Sequence, residues 1–202
     1  MKKIIIMMVV ALMATTNVSA QNAFEPKHDI AISVGAWSNS DIINVFEDML
    51  TIMLTGSKVE TSSYFGPISL EYFYHLNRTI SVGAIAAYGH MKQNFYYDKD
   101  KKNKDGSLTN NYFTLLPAVK FDWLQKKNFG LYSKLGLGAT LRSEKIEFTS
   151  DSKKGETNSK VHVNWQISLL GVEAGAEKIR GFIELGTGEQ GIALIGVRYK
   201  FQ

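Results

Sequence analysis

Apolar and polar residues alternate along residues 191–201, at the C-terminal end of the chain. Successive side chains of a β-strand point to opposite sides, so this stretch predicts a strand with one apolar and one polar face. The aromatic residues at its end are suited to the headgroup layer of a bilayer. The stretch therefore predicts the closing strand of a membrane β-barrel. Its apolar positions are Ala193, Ile195, Val197, Tyr199 and Phe201, and its polar face carries Gly196, Arg198 and Lys200.

The same alternation occurs seven more times, and together with the closing strand it predicts eight strands. An even number is typical of outer-membrane barrels, and so is the alternation of long and short connections, with the short ones at the end that holds both termini. The sequence predicts an all-β fold, an eight-stranded antiparallel up-and-down transmembrane β-barrel. The further predicted strands are 29–36, 64–76, 80–97, 113–123, 129–148, 161–174 and 179–185.

Two positions interrupt the alternation. Pro117 lies within the fourth strand, and since proline cannot donate to a strand ladder, it predicts a bulge or a local break in pairing. In the sixth strand the apolar phase slips at Leu169 and Leu170, which predicts a β-bulge.

A helical period replaces the alternation in the first long connection, over residues 41–54. Ser38 and Asp41 have the spacing of a capping box at its start. An external helix with an apolar face has to bury that face, so three placements are open: a lid over the barrel mouth, a position in the membrane interface, or docking on a partner. The apolar face consists of Ile42, Val45, Phe46, Met49, Ile52 and Met53, and the opposite face of Asn44, Glu47, Asp48 and Thr51.

The first twenty residues have a basic start, an apolar run and small residues before Gln21, which is typical of a cleavable signal peptide. We therefore expect a signal peptide at 1–20, a single barrel domain at 21–202, and export to the bacterial outer membrane. The chain of 202 residues contains no cysteine, which excludes a disulfide framework. Its formal charge of +4 falls to +2 without Lys2 and Lys3, so a nucleic-acid partner is not expected.

The residues 29–201 resemble the small outer-membrane β-barrel proteins of the Bacteroidetes type, whose architecture is similar to that of the OmpX and OmpA barrels. The resemblance rests on the signal peptide, the helix at 41–54, the segments 66–77 and 80–83, and the aromatic C-terminal strand. It implies no enzymatic motif and no cofactor.

Charged residues occur on the polar faces of the predicted strands. The interior of an eight-stranded barrel is only wide enough to be filled by side chains, so these charges have to pair. They predict a salt-bridged plug, with a proton or ion path as the alternative. The charges are Glu71, Lys120, Asp122, Lys134, Arg142, Glu144, Arg180, Glu184, Arg198 and Lys200.

Histidine and serine residues near the outer rim raise the alternative of a lipid-modifying enzyme. His90 and His162 would need a serine such as Ser62 or Ser63 and an acid such as Glu60, but no spacing motif unites them. We predict no catalytic, cofactor or metal site. The expected partners are outer-membrane lipid and, through the external loops, another outer-membrane or surface protein. A soluble periplasmic lipocalin-like barrel, with apolar residues lining a ligand cavity, is a further alternative.

Overall fold

The chain forms one closed antiparallel barrel, in which β8 pairs with β1. The computed structural model describes residues 26–55, 58–96, 106–149 and 155–202. The expected signal peptide lies outside these residues, as do parts of the loops expected at 98–106 and 151–159. The predicted fold is confirmed. Its elements are β1 (His28–Ala36), α1 (Asn39–Thr55), β2 (Lys58–His75), β3 (Ile80–Tyr96), β4 (Gly106–Gln125), β5 (Phe129–Phe148), β6 (Glu156–Gly175), β7 (Ile179–Gly188) and β8 (Ala193–Phe201).

The closing strand has the two faces that its alternation predicts. It pairs with β1 in continuous register from His28 opposite Phe201 to Ala36 opposite Ala193. Arg198 is fully buried inside the barrel, whereas Val197 next to it is about half exposed on the outside. Closure of the sheet through this pair removes the free edges that an open sheet of these strands would have.

The barrel wall is much higher on one side than on the other. The strands β1, β7 and β8 have nine or ten residues, while β2 to β6 have 17 to 20. Residues 58–67 of β2 and 156–165 of β6 continue beyond the last pairs with β1 and β7. We call the parts of β2 to β6 that extend beyond the short strands the tall wall. We call the adjacent ends of β7, β8 and β1 the low edge.

Three strands of the tall wall begin earlier than predicted. The strand predicted from 64 begins at Lys58, the one predicted from 113 begins at Gly106, and the one predicted from 161 begins at Glu156. These extensions are mostly polar, with Val59, Leu108 and Tyr112 as exceptions, so they show no regular alternation, yet their backbones continue the ladders of the same strands.

Both predicted irregularities are present. The register between β6 and β7 shifts between Ser168 and Leu170, so the predicted bulge is confirmed, and Leu169 and Leu170 both face outward. At Pro117 the pairing of β4 with β5 is interrupted between Leu115 and Ala118 without a change of register, which is the local break rather than the bulge. The sequence did not predict four further register shifts, which lie between Thr61 and Ser63, Phe65 and Ile68, Asp122 and Leu124, and Tyr132 and Lys134.

The helix α1 is slightly longer than the predicted 41–54, and its capping box is formed. The Asp41 backbone N–H donates to Ser38 Oγ at 3.1 Å, and the Ser38 N–H donates to Asp41 Oδ2 at 2.8 Å. These reciprocal bonds satisfy two backbone donors that the helix start would otherwise leave unpaired.

Candidate functional site

The interior of the barrel contains a cluster of buried charges near the end that holds the chain termini. Five carboxylates and five cations belong to it, and each of these residues is at most 5% exposed. Their formal charges balance. We call this cluster the ionic network. Its acids are Asp29, Glu71, Asp122, Glu173 and Glu184, and its bases are Lys120, Lys134, Arg180, Arg198 and Lys200.

Arg198 lies at the centre of the ionic network. Its guanidinium donates from Nη1 to Glu173 at 2.9 Å and from Nη2 to Glu71 at 3.2 Å. The rings of Tyr132 and Phe182 lie 4.6 and 4.7 Å from the guanidinium carbon, a distance typical of cation–π contacts. Two carboxylates and two rings therefore hold one cation that has no access to solvent.

Glycines on neighbouring strands make room for these two rings. A Cβ atom at Gly171 would lie 2.4 Å from the Tyr132 ring, and one at Gly196 would lie 2.6 Å from the Phe182 ring. Any larger residue at either position would displace an aromatic ring that contacts Arg198. Both glycines are thus part of the packing of the ionic network.

The remaining members pair around this centre. Lys134 bridges Glu71 and Glu184, and the second of these ion pairs is 2.9 Å long. Lys120 pairs with Asp29, Lys200 pairs with Glu173, and Arg180 Nη1 lies 2.6 Å from Glu173 Oε1. Asp122 lies 3.9 Å from Lys120, so each carboxylate of the ionic network has a cation near it.

Most of the charges that the sequence assigned to the interior lie in the ionic network, but two do not. Arg142 and Glu144 lie higher on β5 and pair with each other at 3.1 Å, where both are partly exposed. The sequence reasoning missed Asp29 and Glu173 as members. Asp29 occupies the polar side of the first strand, and Glu173 falls on the polar side once the bulge in β6 is taken into account, so both signals were present in the alternation.

The turn between β7 and β8 folds into the barrel above the ionic network. Its Glu189 and Gln190 are buried, and Gln190 donates from Nε2 to Glu71 at 2.8 Å. Gly188 and Gly191 flank them with φ angles of 137° and 113°, which residues other than glycine rarely adopt. From sequence this segment was only a short glycine-rich turn, because its inward direction depends on the pairing of β7 and β8.

Glu189 connects this turn to the start of α1. The Ser40 hydroxyl donates to its Oε1 at 2.7 Å, and Asn164 donates to its Oε2 at 2.8 Å. The Ser40 backbone N–H donates to the same carboxylate at 3.2 Å. Burial raises the pKa of the Glu189 carboxyl above its ordinary value, and these hydrogen bonds oppose the rise.

The polar face of α1 lies against the inner surface of the tall wall. Ser40, Asn44 and Asp48 form a stripe with a spacing of four residues, which places them on one side of a helix. Asn44 is 2% exposed and accepts a hydrogen bond of 2.7 Å from the Tyr112 hydroxyl on β4. Gln93 on β3 donates to Asp48. The helix is thus held to the barrel through side-chain hydrogen bonds.

The apolar face of α1 points away from the barrel, so of the three open placements the structure does not show the one in which a lid turns this face toward the mouth. The physical reason is that the mouth is lined by amides, hydroxyls and the Glu189 carboxylate, which the polar face can satisfy. All six residues of the predicted apolar face are exposed, up to 84% at Met53: Ile42, Val45, Phe46, Met49, Ile52 and Met53. Within the described residues, no helix has the length and apolar character needed to cross a membrane.

The hydrogen bonds of His90 and Ser62, two of the residues considered for lipid chemistry, lead to groups outside a catalytic arrangement. His90 contacts Asn111 at 2.8 Å, and Ser62 donates to the backbone carbonyl of Lys92. His162 Nε2 is buried and unpaired. No group of three or more potential metal ligands occurs in the part of the chain that the structure describes.

A serine, a histidine and an aspartate do form a hydrogen-bonded chain at the opposite end of the barrel. Ser81 Oγ lies 2.9 Å from His75 Nδ1, and His75 Nε2 lies 3.0 Å from Asp29 Oδ2. Ser81 is fully buried, and Asp29 also pairs with Lys120 of the ionic network. Since a nucleophile has to meet its substrate, this chain is a structural connection of the interior.

The outer surface of the barrel is apolar and carries aromatic side chains at the end that holds the termini. There His28 stacks on Phe201 with ring centroids 5.1 Å apart and contacts the Tyr72 hydroxyl at 2.8 Å. Apolar side chains on the outside and charges on the inside contradict the alternative in which apolar residues line an internal ligand cavity. A groove of about 530 Å³ on this outer surface is lined by residues of β2 to β6, among them Leu70, Ala86 and Phe113.

Comparison with known proteins gives structural neighbours only. No protein-family model matches the chain, and no curated protein matches it. The crystal structure of Ail, the attachment invasion locus protein of Yersinia pestis, is 16% identical, with a TM-score of 0.46. Ail in complex with the heparin analogue sucrose octasulfate is 15% identical, with a TM-score of 0.45.

A third similar structure is the backbone structure of the outer membrane protein Ail in a phospholipid bilayer nanodisc, which is 16% identical, with a TM-score of 0.37. Each of the three alignments covers 88% of this chain and 100% of the Ail chain. At this level of similarity, no residue role and no ligand is transferred to this chain.

Proposed function

We propose that this chain is a non-enzymatic integral β-barrel protein of the bacterial outer membrane, with an interior plugged by paired charges. It has a structural or surface-interaction role, exercised through α1 and the external loops. The observation that carries the proposal is the inverted distribution of polarity, with apolar side chains on the outside and ten buried charges in the ionic network. Such a surface is unfavourable in water and suited to lipid.

Two further features support the membrane assignment. The aromatic residues around His28 form a belt at one end of the barrel, as expected at a membrane interface. Each strand pairs with two neighbours in the closed barrel, so the backbone hydrogen bonds are satisfied within the protein, as a lipid environment requires. Outer-membrane lipid is thus the first partner of this chain, and a further surface protein is a second one. A cleaved signal peptide at 1–20 and membership of the Bacteroidetes-type barrels belong to the same proposal.

The location is tested by membrane extraction and by gel migration. We expect the protein to stay with membranes in alkaline carbonate, and to migrate differently on a denaturing gel before and after boiling, because a closed barrel resists detergent unfolding. Release into the soluble fraction would exclude the membrane assignment. Unchanged migration would contradict a closed barrel in detergent.

The plug is tested by conductance in planar bilayers. The wild-type protein should give no steady conductance, because the ionic network and the turn at Glu189 and Gln190 occupy the interior. The double variant Glu189→Ala with Gln190→Ala removes the two side chains that the turn contributes to the plug, including the hydrogen bond from Gln190 to Glu71, and keeps all ten charged residues of the ionic network. It serves as a comparison for leakage. Steady conductance of the wild-type protein would replace the plugged interior with an ion path.

A further inference from the structure

The direction of the apolar face of α1 follows from the strands that hold its polar face. Asn44 and Asp48 contact β4 and β3. In a closed eight-stranded barrel these strands lie across the interior from β8 and β7. Residues opposite Asn44 and Asp48 on the helix therefore point over the low edge and away from the barrel axis.

The face that points over the low edge is broad and uncharged. Ile42, Phe46, Met49 and Met53 recur at helical spacing on the side opposite the polar stripe, and Ile43, Val45, Leu50 and Ile52 flank them. All eight side chains are at least 44% exposed. Exposed apolar surfaces of such extent mark interaction sites.

This face is continuous with the apolar outer surface of the short strands. Trp37, which is 65% exposed, follows β1 and precedes α1 in the chain, and the N–H of Ile192, which is 41% exposed and precedes β8, donates to the Ala36 carbonyl at the end of β1. Nearer the belt, Val34 and Ile195 are paired neighbours on the outside of the barrel. Exposed apolar side chains are thus present on the outside of β1 and β8, at the low edge and on the helix that follows it.

The outer surface of β3 and β4 carries polar side chains beyond the belt. Above Tyr88 and Phe113, the next outward positions of β3 and β4 are His90 and Asn111. Lys92 follows on β3. The apolar belt therefore ends on the side of β3 and β4, whereas on the opposite side it continues along α1.

We propose that the apolar face of α1 lies against the acyl chains of the bilayer, so that the membrane boundary around the barrel is oblique. It is higher on the side of the low edge than on the side of the tall wall. The helix then replaces the missing outer parts of β7, β8 and β1, with its polar face turned to the barrel and its apolar face to lipid. The inference rests on the proposed membrane location.

Lipid is favoured over a soluble occupant by this continuity. A lipid surface covers Trp37, Ile192 and the helix together with the belt and meets no charged side chain on the way. Transfer of apolar surface from water to hydrocarbon stabilises the arrangement by about 25 cal/mol per Å². A second copy of the chain or another protein is an outcome of the test below.

The chain contains no cysteine, so single cysteines can be introduced and labelled at defined positions. Met49→Cys reports on the apolar face of α1, with Phe46→Cys as a second site. Val197→Cys reports on the barrel belt, and Ser63→Cys reports on the outer surface of the tall wall. Each variant is labelled with bimane and reconstituted in phosphatidylcholine vesicles with and without dibrominated phosphatidylcholine. Heat-modifiable migration on gels verifies that each variant has folded.

We expect brominated lipid to quench the label at positions 49, 46 and 197 but not at 63, and aqueous iodide to quench only the label at 63. Quenching at 49 and 46 by iodide and not by brominated lipid would overturn the inference. Protection from both quenchers would also overturn it, since a second copy or another protein surface would then cover the helix. Loss of lipid quenching at 197 would instead contradict the proposed membrane location itself.

Discussion

The ionic network and the mouth of this barrel both bury polar groups, but the buried groups are paired in different ways. In the ionic network, Arg198 and four other cations neutralise five carboxylates. At the mouth, neutral donors such as Ser40, Asn164 and Tyr112 hold the helix and the carboxylate of Glu189. The ionic network is therefore expected to be part of the cooperative barrel, and the mouth a weaker attachment that can open by itself.

The largest effect is expected when the centre of the ionic network is removed. Arg198→Met leaves Glu71 and Glu173 with an unbalanced buried charge, so the free energy of unfolding should fall by about 3–5 kcal/mol. Urea titration in detergent, followed by the gel shift, measures it. The control is Lys145→Met, whose exposed pair with Glu147 should contribute less than about 1 kcal/mol. Equal effects of both variants would show that the ionic network does not stabilise the barrel.

A smaller and local effect is expected at the mouth. Asn44→Ala removes the acceptor of the buried Tyr112 hydroxyl, which should weaken the docking of α1 by about 1–3 kcal/mol and leave barrel unfolding unchanged. Amide hydrogen exchange in α1 measures the docking. Thr109→Ala, an outward neighbour of Asn110 on the same strand, is the control. If Asn44→Ala lowers the stability of the whole barrel, the mouth is not an independent unit.

The start of α1 offers a third comparison. Ser38→Ala removes the side-chain half of the capping box and should cost about 1 kcal/mol of helix stability. Ser38→Thr retains the hydroxyl and should behave like the wild-type protein. Circular dichroism is dominated by the strands, so exchange of the Asp41 amide is the suitable measurement. Unchanged exchange in Ser38→Ala would indicate that docking alone holds the helix start.

The smallest effect is a dependence of docking on pH. Burial raises the pKa of the Glu189 carboxyl above its ordinary value, so the docked state binds the proton more readily than a state in which undocking gives this carboxyl access to solvent. Docking of α1 should gain stability as the pH falls and lose it as the pH rises through the raised pKa. Exchange of α1 amides, corrected for intrinsic rates, would show this trend, and Glu189→Gln should abolish it. The opposite trend in the wild-type protein would contradict the assigned direction.

The predictability of the two regions differs for a physical reason. The strands, the closing pair and most of the ionic network follow from alternation, because side chains of a strand can only point to one face or the other. The break in pairing predicted at Pro117 and the bulge predicted at Leu169 and Leu170 are also confirmed, because both change the local hydrogen-bond pattern. The early starts of β2, β4 and β6 were not predicted, because these mostly polar stretches show no regular alternation of apolar and polar residues.

The sequence by itself determined the eight strands, their inward charges, and a helix with its capping box after the first strand. Tertiary structure alone decided that Glu189 and Gln190 fold into the barrel and that α1 turns its polar face inward. The physical reason is that alternation and helical period are local properties of the chain. The partner of each face depends on what distant strands present, here amides and hydroxyls from β3, β4 and β6.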